Sequence, residues 1–130
     1  MDRIDLHIEV KPISFDALAD ERPQEDSQSI RQRVIEARQI QIERFKDQAG
    51  IHCNALMQSH HLNTYGQLNK ACQILLKRAM TFYQLSARAY DRIVKVARTI
   101  ADLAGKEQIG AEHIAEAIQF RSLDKENWVQ

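Results

Sequence analysis

Arginine is the residue type most able to do chemistry in this sequence, and Arg88 is the best placed. It lies two residues after Ser86, which reads as the N-cap of a strongly periodic helix, so its guanidinium stands in the first turn beside the positive end of the helix dipole. A guanidinium there can meet two anionic oxygens at once, in a planar fork. Taken alone, an arginine at a helix start is a solvated surface charge. Arg92, Lys95 and Arg98 follow on the same helix, and Arg31, Arg38 and Arg44 mark another, which reads as charged, solvated helix faces rather than as DNA contacts.

Histidines and thiols are the second candidates. His52, Cys53, His60, His61 and His113 are of the type that binds zinc, but the spacing is wrong: His60 and His61 are adjacent and should point apart on a helix, so no metal site is expected. Cys53 and Cys72 lie far apart with no CxxC, and both read as reduced thiols. There is no glycine-rich phosphate loop, no GxSxG, no HExxH and no catalytic carboxylate pair, so the chain offers no self-contained active site.

The elements that would position these residues are helices. In 130 residues, 44% hydrophobic and 28% charged, 18 basic and 18 acidic side chains cancel, which suits one modest core and gives no reason to expect a polyanion partner. No apolar run approaches a membrane span and the N-terminus lacks the layout of a signal peptide; a cytoplasmic location with no membrane contact is expected. Ile4 to Val10 alternates, placing Ile4, Leu6, Ile8 and Val10 on one face of a lone strand, so that either a neighbouring sheet is missing or the segment is unstructured. Lys11 to Ser27, with Pro12, Pro23 and only a Phe15 to Leu18 anchor, reads as a linker.

Ser29 to Gln32 reads as a capping box opening a helix to about Lys46, with Ile30, Val34, Ala37 and Phe45 on its buried stripe and Gly50 beyond its end. A short helix is expected from Ser59 to Tyr65, stopped at Gly66. Asn69 caps a helix to Phe82 that buries Cys72, Leu75, Leu76, Ala79 and Met80. From Ser86, the residues Tyr90, Ile93, Val94, Ala97, Ile100, Ala101 and Leu103 mark the central helix, closed by Gly105. Gly110 caps the last helix, with Ile109 and Ile114 as a hydrophobic staple and Ile118 continuing the stripe to about Arg121; Leu123 and Trp128 pack the end or trail. The expected fold is all-α, a bundle of about four helices over 27–123, with an extended or disordered segment over 1–26 and a tail over 124–130.

The order of these residues carries a resemblance. Asp2 to Val10, Ser29 to Val34, Ala37-Arg38, Gln41 to Phe45, Leu85 to Ile93, Val96 to Leu103, His113 to Ile118 and Phe120 to Asp124 together resemble the C-terminal part of magnesium-chelatase-like AAA+ ATPases of the ComM/YifB type. The resemblance implies a helical lid with no ATPase activity of its own, belonging to a ring-forming ATP-driven motor and, in ComM-like members, to a DNA branch-migration helicase linked to recombination. It assigns Arg88 as the nucleotide-sensing (sensor 2) arginine, with Ser86 supporting it, and Arg3 as a catalytic arginine finger supplied in trans, with Asp2 orienting it. ATP and Mg2+ would bind the remainder of the full-length protein and none to this chain alone. The implied partners are the ATPase core and neighbouring subunits of a ring, a hexamer by expectation, with DNA reached through the full-length protein. The family's Walker A, Walker B and sensor 1 segments are absent, which leads to the expectation of a fragment. Two other readings compete: a stand-alone helical protein-interaction module, and a subunit of a metal-chelatase complex.

Overall fold

The computed structural model describes residues 6–8 and 25–121. The helices are α1 (Ser27–Arg44), α2 (Ser59–Tyr65), α3 (Lys70–Tyr83), α4 (Ala87–Leu103) and α5 (Ala111–Gln119), with a 3-10 turn at Asn54–Leu56 before α2. Among the described residues the fold is all-α, four longer helices and one short one.

Local chemistry sets most of the boundaries. The side chains of Asn69 and Ser86 accept from the N–H groups of Cys72 at 2.9 Å and Ala89 at 3.2 Å, capping α3 and α4 as expected. At the end of α4, Gly105 takes φ +70°, and the N–H groups of Gly105 and Lys106 donate to the carbonyls of Asp102 and Ala101, the Schellman pattern that only a residue tolerant of left-handed backbone closes without strain. Ile109 and Ile114 are both buried on either side of the Gly110 cap, completing the expected staple. Gly66 is the C-cap of α2, and a side chain is disfavoured there because a Cβ would stand 2.8 Å from a methyl of the buried Val94.

α1 starts three residues earlier than the Ser29 capping box predicts. The carboxylate of Asp26 accepts from the N–H of Ser29 at 2.8 Å and takes the N-cap role, a bond that holds its pKa below the usual carboxylate range. The expected stripe on this helix is only half right: Ala37 and Phe45 are buried, whereas Ile30 and Val34 are exposed, because every residue from 25 to 36 lies beyond the edge of the body.

α4 is the central helix. Its Ala89, Ile93, Val94, Ala97 and Ala101 are buried, and it packs against α1, α2, α5 and the 3-10 turn, while α3 packs on α5. Phe45, Met57, Leu62, Cys72, Leu76, Ala79, Ile109, Ile114, Ala117 and Ile118 fill the rest of the core. Tyr90 and Leu103, expected on the buried stripe of α4, are exposed at its margins.

The expected strand is not formed at 6–8, where no ladder partner stands among the described residues. The N–H of His7 donates to the carbonyl of Phe120 at 2.7 Å; His7 is half-buried while Leu6 and Ile8 are exposed, the reverse of the expected apolar face. The remainder of that strand, the linker with its Phe15 to Leu18 anchor, and Leu123 and Trp128 lie outside the described residues.

Candidate functional site

The first turn of α4 carries Arg88 directly after its cap. Ser86 has an extended backbone and caps the helix through its side chain, as expected of its N-cap position. Arg88 itself is exposed, and none of the hydrogen bonds or ion pairs among the described residues engages it. One turn further, Asp91 accepts from the hydroxyl of Ser59 at 3.1 Å and so links α4 to α2. Arg3 and Asp2 lie outside the described residues.

The other end of α4 is fixed by a buried polar cluster that sequence reasoning missed. Arg44, at the end of α1, grips Asp102 in a fork, 2.8 Å to one carboxylate oxygen and 2.6 Å to the other. Arg98 reaches the same carboxylate at 3.2 Å and donates to the carbonyls of Lys106 and Glu107, tying the loop after α4 back onto the helix. The amide of Asn54 donates to Asp102 at 2.9 Å and Thr99 at 3.0 Å, its carbonyl accepts from Arg44, and its N–H donates to the side chain of Gln41. The Asp102 side chain is fully buried. Burial pushes the Arg98 pKa below its ordinary value, Asp102 opposes that, and the neighbouring Arg44 adds to it.

This cluster also corrects the reading of the two basic faces as solvated. Arg31, Arg38 and Arg88 are exposed, but Arg98 is buried, Arg44 is largely so, and Arg92 is half-buried. Lys95 lies over the 3-10 turn, 3.4 Å from the carbonyl of Ala55. A signal did exist: Arg98 and Asp102 stand four residues apart in a row with Val94, next to the alanines of the apolar stripe, which places an ion pair inside the bundle.

Among the described residues no three His, Cys, Asp or Glu side chains converge to hold a metal. Two histidines serve as helix caps instead. Nδ1 of His61 accepts from the N–H of Gln58 at 2.9 Å, and Nδ1 of His113 accepts from the N–H of Gly110 at 2.8 Å, both from the third helical position where a Glu or Gln usually does this. His60 and His61 do not point apart as expected; their rings lie 3.9 Å apart and tilted. The thiol of Cys72 is buried against the carbonyl of Ile109, and burial raises its pKa, while Cys53 is half-buried and free.

Burial, and to a lesser extent His60, holds the His61 pKa below its ordinary value. Folding therefore favours the neutral ring, and the stability this contributes is full above about pH 6.5, the unfolded value, and fades as pH falls below it. Wild type is expected to lose more melting temperature between pH 7 and pH 5 than His61→Gln, which keeps a capping side chain that cannot titrate. Equal losses in the two proteins would show that His61 contributes nothing to the acid sensitivity.

Comparison with known proteins places this geometry in a lineage. Residues 24–121, all five helices, match the family described as magnesium chelatase, subunit ChlI C-terminal. The chain belongs to this family. It is 40% identical over 124 residues to the competence protein ComM of Haemophilus influenzae, covering 95% of this chain and 23% of that protein. It is 33% identical over 127 residues to the uncharacterized protein YifB of Escherichia coli, covering 96% of this chain and 24% of that protein. The chain thus spans about a quarter of the length of the curated relatives it matches. The ChlI C-terminal family assignment agrees with the resemblance drawn from the residue blocks. No helix among the described residues is long and apolar enough to cross a membrane.

Proposed function

We propose that this ChlI C-terminal domain is the lid of an AAA+ motor and senses bound nucleotide through Arg88. The observation that carries the reading is the contrast along α4: Arg98 and Asp102 are locked into the bundle, while Arg88, in the capped first turn, is exposed with no carboxylate of the described residues on it. A cation held on a rigid element and left without a counter-ion suits an anionic ligand brought from outside.

The residues present fit one contact of an ATP site. Arg88 would approach the terminal phosphate, and the capped helix start would add its positive end. Mg2+ and the phosphate cradle would belong to the remainder of the longer protein. Bound ATP supplies the polyphosphate charge; the chain's own part is to present a guanidinium to it and, through α4 and its buried anchor on α1, to move as one body when that charge changes. The similarity to ComM extends the proposal to a ring-forming motor acting on DNA branches in recombination, with Arg3 acting in trans on a neighbouring subunit's nucleotide.

The reading requires that the 130-residue chain be silent by itself. Isothermal titration of the purified chain with ATP and Mg2+ is expected to show no micromolar binding, and a phosphate-release assay no turnover. Micromolar affinity together with hydrolysis would end the lid interpretation.

A further inference from the structure

Residues 48 to 90 contain no Asp or Glu, although the chain as a whole is neutral. The acid-free stretch includes all of α3, whose outer face exposes Lys70, Ile74, Lys77, Arg78 and Phe82. Phe82 is 72% exposed, the most exposed of the large hydrophobic residues among those described, with its ring edge-to-face on Tyr83 at 4.9 Å. Beside it lies a hollow of about 350 Å³ between α3 and α5, walled by Leu75, Ala79, Tyr83, Ala115 and Ile118, with Phe82 and Arg78 on its α3 rim.

A hollow of this size accepts one or two large apolar side chains, and Arg78 is the one charged residue in its lining among the described residues. A polyphosphate chain would meet a single cation in an apolar surround, whereas an amphipathic helix can seat apolar side chains there and turn an acidic residue to Arg78. We infer that the α3–α5 hollow is a docking groove for an amphipathic helix of a partner protein, its apolar stripe seated against Phe82 and its acidic flank over Arg78. Charge complementarity sets the orientation and the hollow supplies the apolar anchor.

The test uses the 130-residue chain and two fluorescein-labelled amphipathic peptides of about five helical turns. Both carry the same leucine stripe; one has glutamates on the flank beside it, the other lysines. Fluorescence anisotropy is expected to show saturable binding of the glutamate peptide and at least about tenfold weaker binding of the lysine peptide. Arg78→Glu should reverse that preference, and Phe82→Ser should weaken both peptides. Both sites are exposed, and circular dichroism checks that each variant keeps its fold. Glutamate-peptide binding that is absent, or unmoved by Arg78→Glu, overturns the proposal. So does a labelled single-stranded oligonucleotide that binds more tightly than either peptide and is lost with Arg78→Glu, an outcome that assigns the surface to nucleic acid.

Discussion

Asp102→Ala lowers the unfolding free energy by about 3–5 kcal/mol, the cost of leaving buried cations without their counter-ion. The carboxylate is fully buried and holds Arg44 in a fork, Arg98 at 3.2 Å and the amide of Asn54 at 2.9 Å. Its loss strands two guanidinium groups whose side chains are only 13% and 5% exposed. Urea denaturation measures the effect as a fall in midpoint at unchanged slope. Asp102→Asn should fall nearly as far, since the amide keeps an acceptor but no charge. Replacing Arg44, Asp102 and Arg98 together by apolar residues of similar volume should recover most of the loss, because what costs so much is the unpaired charge and not the missing pair. A loss below about 1 kcal/mol for Asp102→Ala would mean that the pair behaves as a surface one and does not anchor α4 to α1.

This cluster also marks the limit of what the sequence makes legible. Caps, staples and stops depend on a few neighbouring residues, so Asn69, Ser86, Gly105 and the Ile109–Ile114 pair could be read directly, and with them most helix boundaries. The periodicity of α4 identified it as the central helix for the same reason. Arg44 and Asp102 are 58 residues apart, and no local pattern says that one will fold onto the other. Periodicity also cannot say where the body of the protein ends, which is why Ile30 and Val34 were expected to be buried on a half of α1 that stands clear of the core. At the candidate site, the cap and the position of Arg88 were legible from spacing. The role of Arg88 rests on family resemblance, because a helix start with an arginine is common and the ligand it would meet is brought by other residues.

Arg88→Ala in the full-length protein is expected to leave the fold intact and lower ATP turnover about a hundredfold, the scale on which removing one preorganised donor to developing charge acts. Arg88 is exposed, so its loss should move stability by no more than about 0.5 kcal/mol. Arg88→Lys keeps the charge but presents a single point in place of a fork, and intermediate turnover is expected. Asp102 lies 14 residues further along α4, about 21 Å at the rise of a helix, so the stability effects of the two substitutions should add. Turnover measured under saturating ATP separates the sensing role from simple affinity. A variant that hydrolyses ATP at the wild-type rate, with wild-type nucleotide binding, would leave Arg88 as a solvated surface charge and remove the sensor from the proposed mechanism. Loss of turnover in a protein whose melting temperature and circular dichroism are unchanged is the outcome that a purely structural arginine cannot produce.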